Sequence, residues 1–202
     1  MSCVGIDLAG VDTRPTGFCV LRGMDAETEL LLGDEEVVDR TIQADPKVIA
    51  VDAPPVLPTS RHCLEEHCRG KQHFRKCDLE LRGLGIRFFP ITLGPMCLLT
   101  KRGMSLRPKL EATGFIVVET YPGGAQDLLG IKRRSDLEGL RVGLRGLGIS
   151  GEVDKSRTTD HELDTVTCAF VAKLYAEGEY LSLGDPRESL MVLLNRRAGI
   201  LK

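Results

Sequence analysis

Val48-Ile49-Ala50-Val51-Asp52, followed directly by Ala53-Pro54-Pro55, is the most informative stretch of this sequence. A near-continuous apolar run of this kind is typical of a strand that is buried on both faces of a parallel sheet. The run predicts a central strand over Lys47–Val51, which the acid and the two prolines then end. Asp52 would therefore be a carboxylate at the carboxyl edge of a sheet.

Short apolar runs separated by turn-forming residues predict three strands before this central one. They cover Cys3–Leu8, Gly17–Leu21 and Glu29–Leu32, and their succession favours an antiparallel meander. A predicted helix over Asp34–Asp45 would form the crossover to the central strand. Phe115–Glu119 is the fifth predicted strand.

The remaining apolar spacing predicts mainly helices. They are Phe74–Leu84, Leu98–Ala112 with a bend near Gly103 and a break at Pro108, Ala125–Leu129, Ser135–Leu144 with a Ser135 cap and a capping box to Glu138, and Thr158–Ala176, before a last short strand over Leu190–Leu194. This order predicts one α/β domain over residues 1–202, with a mixed five-stranded sheet flanked by helices and a ribonuclease-H-like layout. A segment rich in His and Cys, at about residues 59–77, would be an insert.

Composition excludes several classes of protein. The chain has 202 residues, a net charge of −2 with both signs interspersed, and no Trp. A basic tail or a protein that coats duplexes through its overall charge is excluded, so a polyanion would have to meet local basic patches. The longest apolar runs are too short to cross a bilayer, which needs about 20 residues. Seven cysteines and a first segment unlike an export signal predict a reducing, cytoplasmic location without membrane association.

Carboxylates stand at the ends of three predicted strands: Asp7, Asp52 and Glu119. Parallel neighbouring strands end side by side, at the edge where open α/β sheets bind ligands. If the first and fourth strands are such neighbours, Asp7 and Asp52 converge. The plainer alternatives are a turn-forming acid at each strand end and, for Glu119, an exposed salt bridge.

The longest predicted helix adds three further polar candidates near its start: Asp160, His161 and Asp164. The spacings i,i+3 and i,i+4 place them on one face of the first turns. Acids there can merely complement the helix dipole, which accounts well for Asp160. Asp164 fits that explanation less well, because the apolar stripe begins at this position.

Closely grouped carboxylates repel each other and need a counter-charge. Oxygen donors select Mg²⁺ or Mn²⁺. The sequence therefore predicts a metal site formed by Asp7, Asp52 and Asp164, completed by Glu119, Asp160 or His161. Two such ions can support phosphodiester hydrolysis.

A second candidate metal site lies in the His/Cys-rich segment. Its spacing Cys63-x4-Cys68-x4-His73-x3-Cys77 is close to that of a zinc knuckle but does not match it. Helix phase draws Cys77 into the core as a buried thiol, which leaves Cys63, His67, Cys68 and His73 as the structural zinc candidates. Without zinc the segment would be a mobile loop.

Basic residues form three groups that could contact phosphates. They are Arg61, Arg69, Lys71, Arg75, Lys76, Arg82 and Arg87; Lys101, Arg102, Arg107 and Lys109; and Lys132, Arg133 and Arg134. A solvated surface is the alternative interpretation. Phosphate contact would make nucleic-acid affinity fall steeply with salt.

Five motifs in order resemble a known family. They are Gly5-Ile6-Asp7-Leu8-Ala9-Gly10, Ala50-Val51-Asp52-Ala53-Pro54, Cys77-Asp78-Leu79-Glu80-Leu81-Arg82 with Gly85-Ile86, Glu119-Thr120-Tyr121-Pro122-Gly123-Gly124-Ala125-Gln126-Asp127-Leu128-Leu129-Gly130, and Glu162-Leu163-Asp164-Thr165-Val166-Thr167-Cys168-Ala169. The chain is similar over most of its length to the domain-of-unknown-function family 429, predicted nucleases of ribonuclease-H fold. The resemblance implies this fold and a metal-dependent nuclease acting on DNA or RNA.

The motifs are also similar to the sites of Holliday-junction resolvases. In that comparison Asp7 matches the first-strand Asp, Asp52 the fourth-strand acid, and His161 with Asp164 the pattern on the last helix. Junction-cutting enzymes of this type suggest a homodimer. Ribonucleases H usually carry a further acid on the first helix, and this chain has no clear counterpart for it.

Two other classes of function are compatible with the sequence. An adaptor with the same fold would bind nucleic acid or protein through residues 62–77 without metal-dependent turnover. A phosphotransferase of the actin-like ATPase group also begins with a strand carrying an Asp followed by Gly, but it needs two such domains around its nucleotide, and 202 residues hold one.

Overall fold

The computed structural model describes residues 1–65, 67–68 and 70–195. Arg69, a member of the first basic group, lies outside the described residues. None of the helices in the described ranges combines the length and the apolar character that crossing a bilayer requires.

The described residues form one mixed sheet of eight strands. These are β1 (Ser2–Asp7), β2 (Thr16–Arg22), β3 (Asp25–Leu31), β4 (Val48–Asp52), β5 (Ile116–Glu119), β6 (Ser150–Gly151), β7 (Tyr180–Asp185) and β8 (Ser189–Leu194), in the order β6-β3-β2-β1-β4-β5-β8-β7. The first three strands are an antiparallel meander, and β4 and β5 continue the sheet parallel to β1. This arrangement confirms the predicted α/β class with a ribonuclease-H-like layout.

The sheet is wider than the five strands predicted. The last predicted strand, Leu190–Leu194, corresponds to β8, which joins the sheet through a parallel contact with β5. The two unpredicted strands are the outermost ones: β6 pairs with β3 over two residues, and β7 pairs antiparallel with β8. A pairing of two residues leaves no periodic pattern in the sequence. β7 ends in Gly184-Asp185, which gives it the composition of a turn rather than a strand.

Helices pack on both faces of the sheet. They are α1 (Gly33–Ala44), α2 (Lys76–Gly83), α3 (Gly94–Glu111), α4 (Pro122–Leu129), α5 (Leu137–Gly146) and α6 (Asp160–Glu177), with a short 3-10 helix at Glu152–Asp154. The apolar residues divide accordingly. Val4, Ile6, Ile49 and Val51 belong to the core beneath α1 and α3, whereas the alternate residues of the same strands face α6.

The predicted break of α3 at Pro108 and the predicted Ser135 cap of α5 are wrong. α3 runs through Gly103 and Pro108 as one helix, and Gly103 allows a close approach to Pro54, whose carbonyl oxygen would lie 2.7 Å from an added Cβ. α5 is capped by the Asp136 side chain, which accepts a hydrogen bond from the Gly139 N–H at 2.9 Å, and not by Ser135.

Glycine in β1 brings α6 onto the sheet at short range. A Cβ at Gly5 would lie 2.1 Å from the Thr165 carbonyl oxygen and 2.3 Å from the Ala169 nitrogen. Gly17 on β2 meets the same helix, with an added Cβ at 2.7 Å from the His161 carbonyl oxygen. The first turns of α6 are therefore held directly beside the end of β1.

Candidate active site at the carboxyl ends of the parallel strands

Asp7 and Asp52 are direct neighbours. They are register partners at the ends of the parallel strands β1 and β4. Side chains alternate along a strand, so Asp7 points to the same face as Cys3, and Asp52 to the same face as Val48 and Ala50. That face is the one covered by α6. The sequence-predicted convergence of these two acids is thus present in the structure.

The first turns of α6 bring His161 and Asp164 to the same place. The His161 Nδ1 lies 2.5 Å from Oδ2 of Asp7. Asp164 is only 6 % exposed, and one of its oxygens, Oδ1, accepts a hydrogen bond from Gln126 Nε2 at 2.6 Å. Asp7, Asp52, His161 and Asp164 all line one pocket of about 1110 Å³.

Gln126 is a residue that the motif argument missed. It lies on α4, it is 1 % exposed, and its amide also contacts the Thr167 hydroxyl at 3.1 Å. Glutamine carries no charge, so a search for grouped acids does not select it. It does stand inside the motif Gly124-Ala125-Gln126-Asp127, on a helix whose other buried residues are all small or apolar, and that contrast is the available signal.

Burial and neighbouring charges raise the pKa of Asp52 and that of Asp164. Burial, together with the charges of Asp7 and Asp164, raises the pKa of Asp52 well above its ordinary value. Burial and the charge of Asp7 raise the pKa of Asp164 to about 6, although the hydrogen bond from Gln126 works in the opposite direction. The contact with Asp7 also raises the pKa of His161. The nearby Arg134 favours the ionised carboxylates through its charge.

Asp52 is unusual because its carboxylate accepts no hydrogen bond from the described residues. A half-buried acid that is repelled by two neighbours and has no donor among the described residues is costly to the fold and marks a candidate functional group. Hard oxygen donors with excess negative charge are the donor set that Mg²⁺ or Mn²⁺ prefers. The chemistry of the three carboxylates therefore fits a divalent cation.

The acidic side chains of the described residues do not already form a closed metal-binding cluster. Within residues 1–65, 67–68 and 70–195, no group of three or more His, Cys, Asp or Glu side chains is already arranged to enclose a metal ion. Asp160, the remaining candidate on α6, lines the pocket and contributes negative charge near His161 and Asp164.

Glu119 is engaged in a different network. Both of its oxygens accept hydrogen bonds from the buried Arg75, at 2.7 and 2.6 Å, and Arg75 also binds Asp78 at 2.9 Å. The Ser189 hydroxyl donates a further hydrogen bond to Glu119 at 3.1 Å. Glu119 borders the pocket, but its oxygens are committed to holding Arg75, so we do not assign it to the metal.

The structure does not assemble the predicted zinc ligands into a site. The His73 Nδ1 lies 2.6 Å from the Thr92 hydroxyl. Hydrogen bonds from the backbone of His62 and of Cys63 lower the pKa of the Cys68 thiol to about 6. Cys63 and Cys68 are thus close neighbours, but among the described residues no third ligand joins them. Cys77 is buried in the core on α2, as helix phase predicts.

The strand order and the acids at the ends of β1 and β4 define a protein of the ribonuclease-H-like class. The family described as "Protein of unknown function (DUF429)" matches residues 10–189, and the chain belongs to this family. RuvC of Thermus thermophilus is a similar solved structure, with 15 % sequence identity and a TM-score of 0.43 over 88 % of this chain and 96 % of that one. No curated protein matches the chain.

Proposed function

We propose that this protein is a nuclease that hydrolyses phosphodiester bonds of nucleic acids with Mg²⁺ or Mn²⁺ held by Asp7, Asp52 and Asp164. The observation that carries the proposal is the pairing of Asp7 with Asp52 across β1 and β4, beside the buried Asp164 of α6. When bound, the cation would supply a Lewis acid that activates water and stabilises the leaving oxygen.

Two neighbouring residues would orient the ligands. The His161 ring contacts one oxygen of Asp7 and the Gln126 amide binds one oxygen of Asp164, while the other oxygen of each accepts no hydrogen bond from the described part of the chain. Such outer contacts typically change metal affinity or activity by about 10–100-fold. His161 is partly exposed at the pocket, where it can also exchange a proton with a bound substrate.

The location follows from the cysteines. All seven are free thiols, and Cys3, Cys19, Cys77 and Cys168 are buried. We propose a reducing, cytoplasmic location on this basis. A homodimer stays a prediction from the resemblance.

The test is a cleavage assay on labelled DNA and RNA panels with Mg²⁺, Mn²⁺ or EDTA. We expect metal-dependent cleavage by the wild type and a loss of more than about 100-fold in Asp7→Asn and in Asp52→Asn, since ligand loss exceeds the effect of outer contacts. Asp39→Asn is the matched control, because Asp39 is exposed on α1 at the other face of the sheet. Undiminished cleavage by Asp7→Asn would refute the proposal, and binding without turnover would favour the adaptor.

A further inference from the structure

We propose that the pocket beside the carboxylates takes an unpaired nucleotide, whose base packs against an apolar wall around Phe89 and whose phosphates meet arginines at the rim. This inference rests on the proposed nuclease function and specifies its substrate class, which is single-stranded nucleic acid.

The pocket is much larger than a metal site requires. Its volume of about 1110 Å³ is at the upper end of what small-molecule sites offer. Beyond the carboxylates its lining is largely apolar, with Ile86, Phe88, Phe89 and Ile91 before α3 and Met96 on α3. Neither metal ligation nor phosphate contact requires an apolar wall. A nucleic-acid base does, because its faces pack against apolar side chains.

Phe89 has the properties of a stacking platform. Its side chain is 64 % exposed, more than any other large hydrophobic residue in the described ranges. The adjacent Phe88 differs, since its ring packs edge-on against Phe74 with centroids 5.8 Å apart and lies near Arg82. Phe89 has no aromatic or cationic partner among the described residues. Because this ring is exposed at the pocket and has no such partner among the described residues, it is available to stack on a base.

The rim carries cations that the fold does not use. Arg14, Arg87 and Arg134 line the same pocket and are exposed, and within the described part of the chain their side chains make no hydrogen bond or ion pair. Other pocket arginines are engaged: Arg133 binds Asp127 at 2.8 Å, and Arg75 binds Glu119. These three guanidinium groups, which have no partner among the described residues, complement a polyanion whose reactive phosphate would lie at the carboxylates.

The apolar wall distinguishes unpaired from paired substrates. In a duplex the base faces are covered by stacking, so a base reaches the wall of a pocket only when it is unstacked or turned out. Phosphate contacts alone would serve both forms equally well. The combination of Phe89 and the rim arginines therefore favours single strands.

The experiment measures binding by fluorescence anisotropy in Ca²⁺ buffer, with labelled short single-stranded DNA and RNA and with a blunt duplex of the same sequence. We expect the wild type to prefer single strands by about tenfold and Phe89→Ala to weaken that binding by at least about fivefold, as the loss of one stacked base implies. Phe89→Trp should retain the preference. Ile42→Ala is the matched control, since Ile42 is 51 % exposed on α1, away from the pocket.

The outcomes separate this inference from the proposed function. Equal binding of single strands and duplex, or wild-type binding by a Phe89→Ala variant with an unchanged melting temperature, would overturn the nucleotide site. If either result is obtained while the wild type still shows metal-dependent cleavage that Asp7→Asn abolishes, the nucleotide site is refuted and the nuclease assignment stands. If no substrate is cleaved in any metal, the proposed function fails, and the inference that rests on it fails too.

Discussion

At the level of single residues, Asp52 is the position where the needs of stability and of the proposed function differ most. It is half-buried beside Asp7 and Asp164 and accepts no hydrogen bond from the described residues. A group held in this way lowers the stability of the metal-free fold, and it is retained if a cation needs it. Among the described residues Asp7 and Asp164 each have one side chain that binds their carboxylate, so the unbalanced charge is greatest at Asp52.

Asp52→Asn should therefore stabilise the metal-free protein at pH 7.5 while removing its response to metal. We expect the free energy of unfolding to rise by about 0.5–2 kcal/mol, or a few degrees in melting temperature. Mn²⁺ should raise the melting temperature of the wild type and leave that of the variant unchanged. Thermal melts with and without Mn²⁺ measure both effects, with Asp39→Asn as control. A destabilised variant that still responds to Mn²⁺ would contradict this account of Asp52.

The raised carboxylate pKa values also predict the dependence of metal binding on pH. A cation binds the ionised acids, and the pKa of Asp164 is about 6 where an ordinary Asp titrates near ~3.9. Mn²⁺ affinity should therefore fall as the pH drops through about 6. Gln126→Met removes the donor that lowers the pKa of Asp164, so its midpoint should move to higher pH. Calorimetric titrations between pH 5 and 8 test this, and a wild-type midpoint near ~4 would contradict it.

The same shifts set the sign of the stability change in the absence of metal. Because the pKa of Asp164 is higher in the folded protein than in the unfolded chain, the folded state binds the additional proton. This contribution is fully present below the unfolded pKa and is lost as the pH rises through about 6. The metal-free site therefore favours folding more in mild acid than at neutral pH.

At the level of secondary-structure elements, Arg75 joins the start of α2 to the end of β5. It is 1 % exposed, and its guanidinium binds Asp78 on α2 and Glu119 on β5. Burial lowers the pKa of Arg75, but the charges of Glu119 and Asp78 raise it by more. The pKa of Arg75 is therefore well above its ordinary value. The clamp fixes the wall of the pocket that follows α2.

Arg75→Met should destabilise the fold by about 3–5 kcal/mol, because it leaves two buried carboxylates without their counter-charge. Urea unfolding of the metal-free protein measures this loss. Arg187→Met is the matched control: its ion pair with Asp185 is at the surface, with the Arg187 side chain 89 % exposed, and its removal should not change the midpoint. Equal midpoints for wild type and Arg75→Met would show that the clamp does not hold α2 on the sheet.

The sequence predicts well those elements whose signal is local. The β1–β3 meander, the buried β4 and the long α6 follow from apolar patterning, and their bounds differ from the structure by a few residues. Edge pairing and close packing depend on distant parts of the chain. Gly5 and Gly17 are the glycines that α6 meets, and only the docking of that helix decides which glycines are crowded.

At the level of the whole molecule, the fold gathers the site from segments that are far apart in the chain. Asp7 and Asp52 meet because β1 and β4 are parallel neighbours, which the strand pattern predicts. Asp164 joins them through the contact of α6 with β1. The partners of Glu119 could not be predicted, since Arg75 reaches it from the His/Cys-rich insert, 44 positions away. Gln126 is neutral and gives no charge signal.

At the level of the pocket, charge is separated: the acids are at its floor, and its exposed rim carries arginines that have no partner among the described residues. This polarity is consistent with a net charge of −2, because the cations are local. In the proposed function the acids at the floor bind the metal, and the arginines at the rim bind the phosphates of a substrate. The proposed function therefore depends on one feature above all others, the capture of a divalent cation at the ends of β1 and β4.

Anomalous X-ray diffraction at the manganese edge tests this most directly, on crystals of the wild type and of Asp52→Asn grown with Mn²⁺. The predicted result is a manganese peak in contact with the carboxylates of Asp7, Asp52 and Asp164, and its absence from the variant. Manganese bound only elsewhere, for instance at Cys63 and His67, or a peak that persists in Asp52→Asn, would contradict it.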